Sequence, residues 1–402
     1  MAPSPTVLVV GGGATGTAIA RDLSMRGVEV HLVERGALAS GTTGRMHGLL
    51  HSGARYANDD PESATDCAVE NGILRDIAGH CVRETGGLFV QGPDDARAYF
   101  ESKADACAEC GIPVERLSGP DARAREPTLA TGIERALWVP DATVDSPSVT
   151  VATALAAEAN GARISTRTAV RDFTIDDGRV RAAVLDGESS DSVAVDHVVN
   201  ATGPWADRVA ALAGCDLEMR HSKGSMVVLA FPDQETVVNW CRPKGQADIV
   251  VPFRDEVVLG TTDIPVEEAG PTAVKPWEVE ALRTEIATLV PDLFEAPVER
   301  AFAGVRPLYS PETIGTTETE HVTRDFFVID HADRDAIEGF TSVVGGKFTT
   351  HRLMAERAAD HVASRLGVDE PSRTADVPLP GRDDPTLLET AADRFDVDSP
   401  LP

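Results

Sequence analysis

A loop dense in glycine, hydroxyl and cationic side chains runs from Ala39 to Tyr56. Small residues let an anionic ligand approach the backbone closely, and guanidinium groups can bind such an anion through two hydrogen bonds. An imidazole, with an ordinary pKa of about 6.5, can exchange a proton at neutral pH. The loop therefore predicts anion binding or proton transfer, with a solvated surface loop as the alternative. Its candidate residues are Arg45, His47, His51 and Arg55.

A second chemical signature, Gly11-Gly-Gly-Ala-Thr-Gly16, follows the apolar run Val7–Val10. Gly11 and Gly13 lack a Cβ, so a pyrophosphate can approach the turn, and Gly16 lets a helix pack on the strand. The next apolar run ends in Glu34, whose carboxylate could bind ribose hydroxyls and would disfavour NADP. This order of strand, turn, helix and strand predicts FAD or NAD, with an ordinary glycine-rich turn as the alternative.

Composition limits the classes of protein to consider. A chain of 402 residues with 42% hydrophobic content predicts two or three globular cores. The net charge is −28, and only five residues are lysines. Such a surface is typical of proteins in concentrated salt, where the Debye length falls to about 3 Å at 1 M, although an acidic mesophilic enzyme remains the alternative. The charge argues against binding nucleic acid or an anionic bilayer through the general surface.

The six cysteines are scattered, and only Cys107 and Cys110 are closely spaced. Without a second close pair, we expect no zinc ion or iron–sulfur cluster. The start of the chain does not resemble a signal sequence, and no run of about 20 apolar residues could cross a membrane. A reducing cytoplasmic location is therefore expected.

Helical and strand patterns alternate along the chain. Ser146 is predicted as the N-cap of one helix, with Pro147 in its first turn. Beyond Gly367 we expect irregular chain as far as Pro385, followed by a short helix. The predicted helices are 61–85, 94–110, 146–160 and one from 276, and the predicted strands include 88–91, 162–165, 169–175, 180–185, 193–199, 249–253, 257–260, 300–309 and 326–330.

This alternation predicts an α/β fold, α+β overall, in which two domains are interleaved. A Rossmann-like dinucleotide-binding domain would comprise 1–86, 140–215 and 330–370, and an antiparallel-sheet substrate domain would comprise 87–139 and 216–329. Residues 371–402 would form a C-terminal tail or the start of a missing region. Because no second Gly-x-Gly-x-x-Gly occurs, the reducing equivalents should come from a small substrate.

Several motifs together resemble the FAD-dependent glycerol-3-phosphate dehydrogenases, which belong to the D-amino-acid-oxidase-like flavoproteins. The resemblance covers residues 5 to about 382. Within the family, the anaerobic-type A subunit is most similar, because 44–51 and Cys241-Arg-Pro match that branch and Met226 replaces a histidine of the aerobic branch. A subunits of this type often continue into a cysteine-bearing region, which is absent from this sequence. The sharpest motifs are His51-Ser-Gly-Ala-Arg-Tyr56, Gly260-Thr-Thr-Asp263, Gly304-Val-Arg-Pro-Leu308 and Gly345-Gly-Lys-Phe-Thr-Thr350.

The resemblance implies that the dinucleotide is FAD. It further implies oxidation of sn-glycerol 3-phosphate to dihydroxyacetone phosphate, with a hydride passing from C2 to flavin N5. Electrons would pass to partner subunits or to quinone, as in a quinone-linked enzyme. Attachment to the inner face of the cell membrane would be peripheral and through those subunits, and a homodimer is left open.

The family motifs also imply the site. Arg306 and Arg55 would bind the substrate phosphate, and Lys347 with the following helix would stabilise the reduced flavin. His51 is the candidate base, with a hydrogen bond to the cofactor as its alternative role. The catalytic set is His51, Arg55, Arg306 and Lys347, and the substrate-binding set is Arg55, Tyr56, Arg306, Lys347 and Thr262. The cofactor-binding set is Gly11, Gly13, Ala14, Thr15, Gly16, Glu34, Arg35, Thr42, Thr43, Arg45, His47, Gly48, Leu49, Val170, Ala201, Thr202, Gly203, Gly346, Lys347, Phe348 and Thr349.

Two other functions stay open at this point. A flavin oxidase or dehydrogenase of an amino acid or a 2-hydroxy acid would use the same arginines to bind a carboxylate. A non-catalytic flavin-binding redox sensor would bind FAD without being reduced by any small alcohol.

Overall fold

The computed structural model describes residues 4–93, 95–186, 192–243, 245, 247–270, 272–309 and 325–399. Its helices are α1 (Ala14–Met25), α2 (Pro61–Ala78), α3 (Arg97–Glu109), α4 (Gly119–Arg125), α5 (Ser146–Ala159), α6 (Ala206–Leu212), α7 (Pro276–Ile286), α8 (His331–Asp335), α9 (His351–Leu366) and α10 (Pro385–Arg394). Its strands are β1 (Thr6–Val10), β2 (Glu29–Val33), β3 (Leu49–Leu50), β4 (Val82–Arg83), β5 (Gly87–Gln91), β6 (Glu115–Ser118), β7 (Arg135–Val139), β8 (Ala142–Val144), β9 (Arg163–Ser165), β10 (Ala169–Asp176), β11 (Arg179–Asp186), β12 (Ser192–Ala194), β13 (His197–Asn200), β14 (Arg220–Ala230), β15 (Val237–Trp240), β16 (Ile249–Phe253), β17 (Glu256–Gly260), β18 (Ile264–Val266), β19 (Val298–Leu308), β20 (Phe326–Asp330) and β21 (Phe340–Gly345).

A mostly parallel sheet contains the glycine-rich turn at the end of its strand β1. Its order is β20-β21-β13-β1-β2-β9, and only β20 runs antiparallel to its neighbour. Alternate residues of β1 pack on opposite faces, with Val7 and Val9 in the cluster under α1, α5 and α9, and Leu8 and Val10 in the cluster that includes α6. Burial on both faces explains why β1 is a continuous apolar run rather than an alternating one.

A nine-stranded, mostly antiparallel sheet forms the second large layer. Its order is β18-β14-β17-β16-β15-β5-β7-β6, and β19 also pairs with β14. The long β14–β19 pair places Arg306 directly opposite Ser222. A buried apolar cluster that includes Val227, Leu259 and Leu282 packs α7 against this sheet.

The two sheets draw their strands from alternating parts of the chain. The first takes strands from 6–33, 163–200 and 326–345, and the second takes strands from 87–139 and 220–308. The predicted α/β fold class is therefore confirmed. The exact domain boundaries stay a prediction, and residues 310–324 of the predicted substrate segment lie outside the described residues.

Local predictions were wrong at several element ends. The helix predicted for 61–85 ends at Ala78, because a 3-10 turn follows and Val82–Arg83 pairs with β8. The predicted 193–199 strand is two strands, β12 and β13, which belong to different sheets. The N-cap of α5 is Asp145, whose Oδ1 accepts a hydrogen bond from the Ser148 N–H at 3.0 Å. Ser146 is instead the first helical residue, and its Oγ donates to the Thr43 carbonyl at 2.7 Å.

Buried arginines connect the last part of the chain to the first through an ion pair and through hydrogen bonds to backbone carbonyls. Arg352 in α9 donates to both carboxylate oxygens of Glu70 in α2, at 2.8 and 2.5 Å. Arg21 in α1 donates to the Thr374 and Val377 carbonyls, so the irregular segment after α9 is packed on α1. The predicted short helix after Pro385 is present as α10. Within the described residues, no helix is both long enough and apolar enough to span a bilayer.

Candidate functional site

A cavity of about 700 Å³ extends from the carboxyl end of β1 to strand β19. Its wall contains most of the residues predicted for cofactor and substrate, although they come from distant parts of the chain. Those predicted residues are Gly11, Gly13, Ala14, Thr15, Glu34, Arg35, Thr42, Thr43, Arg45, His47, Leu49, His51, Tyr56, Val170, Ala201, Thr202, Gly203, Arg306, Gly346, Lys347 and Phe348.

The glycine-rich turn forms one end of the cavity. A Cβ on Gly11, which has a φ of +116°, would lie 2.5 Å from the Ala201 carbonyl oxygen. A Cβ on Gly16 would lie 1.9 Å from the Gly11 carbonyl oxygen, so Gly16 packs the helix on the turn and does not line the cavity. The first residues of α1, Ala14 and Thr15, line the cavity together with Gly13, so the positive dipole end of the helix faces it. This is the cradle that a pyrophosphate requires.

Glu34 lies at the edge of this cradle. Its Oε2 accepts a hydrogen bond from the Gly12 N–H at 2.7 Å, and its Oε1 accepts one from the Gly36 N–H at 2.8 Å. These bonds orient the carboxylate at the end of β2, where the sequence placed a ribose contact.

The sequence interpretation missed several residues of the cavity wall. The Arg35 guanidinium lies 4.2 Å from the centre of the Trp205 ring, and both side chains line the cavity. Trp205 follows the small-residue turn after β13, so its position in that motif was a usable signal. Met46 in the 39–56 loop and Leu308 in the Gly304–Leu308 motif were marked in the same way. The others have no local signal, because tertiary packing alone brings them to the cavity; they include Thr168, Arg171, Arg208, Val343, His351 and Met354.

His47 and His51 lie close together in the cavity wall, where His51 is buried and His47 is half-buried. Their ring centroids are 5.8 Å apart, and the Tyr56 ring is 5.5 Å from that of His51. Burial, followed by the charges of Arg55 and Arg306, lowers the pKa of His47 to about 3. Burial, His47, Arg55 and Lys347 lower the pKa of His51 well below its usual value. Both imidazoles are therefore neutral at pH 7, and His47 Nδ1 accepts a hydrogen bond from the Leu49 N–H.

Lys347 lies in the turn before α9 and faces the same space. Its Nζ donates to Ser63 Oγ at 2.9 Å and lies 4.5 Å from the centre of the Tyr56 ring. The helix begins at His351, two residues later than Thr349, where the sequence placed its start. Thr349 lies behind the cavity wall, and its Oγ1 accepts a hydrogen bond from the His51 N–H at 3.1 Å.

Arg306 lies on β19 and lines the cavity. Oxygen atoms of β14 and of the segment that follows β17 orient its guanidinium group. Its Nη1 donates to Ser222 Oγ at 3.0 Å, and its Nη2 donates to Thr261 Oγ1 at 2.5 Å and to the Thr262 carbonyl at 2.9 Å. The Thr262 hydroxyl accepts a hydrogen bond from the Ser225 N–H, and Thr262 lies behind Arg306 rather than in the wall. A substrate contact by Thr262 stays a prediction.

Two other predicted residues lie outside the wall. Gly48, with a φ of +76°, packs against Phe253, since a Cβ there would lie 2.0 Å from the phenyl ring. Arg55 forms an ion pair with Asp248 at 3.2 Å, and its charge lowers the pKa of both cavity histidines.

Among the described residues, Cys215, His331 and Asp335 bring three ligand atoms within 4.8 Å of one another. His331 Nδ1 is hydrogen-bonded to Asp335 and Nε2 to Ser342 Oγ, so both ring nitrogens already have partners. Burial raises the pKa of the Cys215 thiol to about 12, which keeps it protonated and a poor metal ligand. We interpret Cys215, His331 and Asp335 as a structural cluster that packs α8 against the neighbouring segments, and not as a metal site.

Comparison with known proteins identifies the family. Residues 6–360 match the family described as FAD dependent oxidoreductase. The chain is 51% identical over 413 residues to the A1 subunit of the anaerobic glycerol-3-phosphate dehydrogenase of Haloferax volcanii, an alignment that covers 100% of this chain and 70% of that protein. The chain belongs to the FAD-dependent glycerol-3-phosphate dehydrogenase family.

A second relative supports the assignment to the A-subunit branch of this family. Identity to the corresponding A subunit of the anaerobic glycerol-3-phosphate dehydrogenase of Escherichia coli K12 is 41% over 389 residues, covering 95% of this chain and 71% of that protein. FAD is the cofactor, which removes the NAD alternative. The Haloferax relative also agrees with the halophilic composition.

A solved structure supports the same fold. The glycerol-3-phosphate dehydrogenase of Bacillus halodurans, complexed with FAD, matches with a TM-score of 0.72 at 24% identity, covering 98% of this chain and 72% of that one. The cavity fits the cofactor that this family binds, because it has a pyrophosphate cradle at one end and extends without interruption to Arg306 and Lys347 at the other.

The two cavity histidines generate a pH prediction. Since the pKa of each is lowered in the fold, the neutral rings should persist as the pH falls from about 7.5 to about 5.5, whereas the unfolded chain should titrate near about 6.5. Their burial therefore makes a contribution to folding that weakens as the pH falls below about 6.5. Histidine ring NMR spectra of the folded and urea-unfolded protein, assigned with His47→Gln and His51→Gln, measure this. A midpoint near 6.5 for either ring in the folded protein would contradict the burial argument.

Proposed function

We propose that this chain is a catalytic subunit that oxidises sn-glycerol 3-phosphate to dihydroxyacetone phosphate and passes the electrons to partner subunits. The observation that carries the proposal is the convergence of Arg306, Lys347, Tyr56 and the neutral His51 on one cavity that also contains a dinucleotide cradle. Membership of the anaerobic A-subunit branch supports both the substrate and the existence of partners.

The final acceptor and the location belong to the same proposal. We propose that the electrons reach quinone through the partner subunits, and that those subunits hold the chain peripherally at the inner face of the membrane. A homodimer remains a separate proposal, which the size of the protein in solution would test.

Bound FAD supplies the hydride acceptor for carbon C2 of the substrate. The guanidinium of Arg306 binds the substrate phosphate, since a planar fork of donors suits phosphate oxygens and this side chain is already oriented by three oxygen partners. We propose that Arg55, which precedes the cavity residue Tyr56 and whose charge lowers the pKa of both histidines, also binds the phosphate.

His51 takes the proton of the C2 hydroxyl in this proposal. A base must be unprotonated to act, and burial together with the charges of His47, Arg55 and Lys347 lowers the pKa of the imidazole well below its usual value, so that the ring is neutral at pH 7. The hydrogen bond from its backbone N–H to Thr349 Oγ1 fixes the loop that carries it relative to the turn before α9. Lys347 holds a positive charge at the same place, where it would offset the negative charge that the site gains on reduction.

The proposed activity is tested by adding candidate substrates to the FAD-loaded protein without oxygen, in concentrated salt. We expect sn-glycerol 3-phosphate to bleach the flavin absorption band, glycerol to bleach it only at far higher concentration, and lactate and amino acids to leave it unchanged. Bleaching by an amino acid or a 2-hydroxy acid alone would show an oxidase or dehydrogenase of the alternative class. No bleaching by any of them would favour the redox sensor.

Lys347→Met should lower the flavin midpoint potential by about 30 mV or more, which for two electrons corresponds to about 1.4 kcal/mol. The physical reason is that a positive charge favours the more negative reduced state. Spectroelectrochemical titration measures the potential, and Lys275→Met is the matched control, because Lys275 is exposed at the start of α7. An unchanged potential together with normal turnover would remove Lys347 from the flavin site.

Arg306→Lys should raise KM for glycerol 3-phosphate by about 10- to 100-fold, since an ammonium group cannot replace a bidentate guanidinium contact with phosphate. KM for glycerol, which has no phosphate, should change far less. Arg300→Lys is the control on the same strand, because Arg300 pairs with Glu256 through two bonds of 2.9 Å. Equal effects of Arg306→Lys on both substrates would exclude Arg306 from the phosphate site.

A further inference from the structure

Arg242, from the Cys241-Arg-Pro motif, is held in the connection between β15 and β16. Its guanidinium carbon lies 3.6 Å from the centre of the Trp240 ring, and its Nη1 donates to Glu285 Oε1 at 2.9 Å. Its Nε and Nη2 both donate to Asp248 Oδ1, at 3.2 and 3.1 Å. Arg242 is therefore oriented toward Asp248 by contacts from a strand and from helix α7.

Asp248 is 2% exposed and immediately precedes β16. Its Oδ2 accepts hydrogen bonds from the Gly245 N–H at 2.8 Å and from Arg55 Nη2 at 3.2 Å. Its backbone carbonyl accepts a further bond from the Trp240 N–H. A buried carboxylate with this set of donors has a defined position and a strong requirement to remain paired.

Arg55 is the member of this series of charged residues that immediately precedes Tyr56, a residue of the cavity wall. Its side chain is about a quarter exposed, and Asp248 anchors one of its guanidinium nitrogens. Tyr56, the next residue along the chain, lines the cavity, and its ring lies 5.5 Å from that of His51. Ala247, which precedes Asp248, donates its N–H to the carbonyl of Thr261, whose hydroxyl accepts a hydrogen bond from Arg306. A long arginine side chain loses much of its rotamer freedom when one end is held, so less ordering remains to be done when an anion binds.

We propose that Asp248, braced by Arg242, is a positioning residue that holds Arg55 at the phosphate-binding end of the cavity. The inference rests on the proposed function, because it concerns how a phosphate-bearing substrate is bound. Charges alternate along the series Arg55, Asp248, Arg242 and Glu285, from the cavity to the surface. This gives the Cys241-Arg-Pro motif a role without placing Arg242 in contact with the substrate.

A competing arrangement makes the opposite prediction. If Asp248 merely sequestered Arg55, the substrate phosphate would have to displace Asp248 in order to bind Arg55. Weakening the Arg55–Asp248 ion pair would then improve substrate binding. The sign of the change in KM therefore distinguishes positioning from sequestration.

The test uses Asp248→Asn in the FAD-loaded protein, a change that keeps the side-chain shape and removes the charge. We expect KM for glycerol 3-phosphate to rise about tenfold, as one charge-assisted bond would predict, with kcat and KM for glycerol changed by less than about twofold. Glu285→Gln is the control, because it removes only the outer partner of Arg242, and its KM should stay within about twofold of the parent value. An unchanged or lower KM for Asp248→Asn would overturn the proposal.

A double-mutant cycle separates positioning from general stability. In an Arg55→Met background, Asp248→Asn should add less than about a twofold effect, since the residue that it positions is gone. A full additional tenfold effect in that background would overturn the proposal. Arg242→Gln provides a second variant and should raise KM for glycerol 3-phosphate in the same direction, and loss of FAD from both single variants would assign the pair to folding and also overturn the proposal.

Failure of this inference can be told apart from failure of the proposed function. If glycerol 3-phosphate does not bleach the parent protein, the function itself is wrong. If it bleaches the parent and Asp248→Asn with the same concentration dependence, only the positioning role is wrong.

Discussion

The parallel pairing of β1 with β2 and β13 is the constraint on which the site depends. It brings the ends of the three strands to one edge, and with them Gly11, Glu34 and Ala201. Parallel neighbours cannot be joined by tight hairpins, so the chain leaves this sheet after β2 and after β13 and later returns. The excursions build the nine-stranded sheet, and Arg306 faces the same cavity because that sheet packs beside the strand ends.

Carboxylate, hydroxyl and carbonyl oxygens orient the cations near the site. Arg55 is held by Asp248, Arg306 lies 3.8 Å from Asp263, and Arg352 binds Glu70 just after the turn that carries Lys347. In a chain with a net charge of −28, most acids belong to the solvated surface, but Glu70 and Asp248 are buried and Asp263 is half-buried. Burying such pairs costs desolvation energy, so their benefit is orientation rather than a large gain in stability. A binding site for a small anion needs that orientation more than it needs additional positive charge.

Local sequence patterns correctly predicted the strands and helices whose apolar residues follow a regular pattern. The β1–α1–β2 unit has apolar strands, a glycine turn and a terminal acid in the expected order, and the structure contains it at nearly the predicted bounds. The prediction of Ser146 as an N-cap was wrong, because Asp145 competes for the same position and Ser146 bonds to the distant Thr43 carbonyl. A cofactor contact by Thr349 stays a prediction, but the hydrogen bond that its hydroxyl accepts from the His51 N–H, 298 positions away in sequence, appears only in the structure. Nothing in the local sequence records such a contact.

The sequence alone determined the dinucleotide cradle and the chemical types available to the site, because backbone conformation at glycine and the charge of a side chain are properties of short segments. The family motifs in the sequence further identified the dinucleotide as FAD and predicted the site residues around His51, Arg306 and Lys347. The tertiary structure was needed to show that the pKa values of His47 and His51 are lowered and that Thr262 orients Arg306 through its carbonyl. It also decided that Asp248 and Arg242 stand behind Arg55. The physical reason is that burial and hydrogen-bond partners depend on which distant segments pack together, which the types and spacing of residues within one segment do not specify.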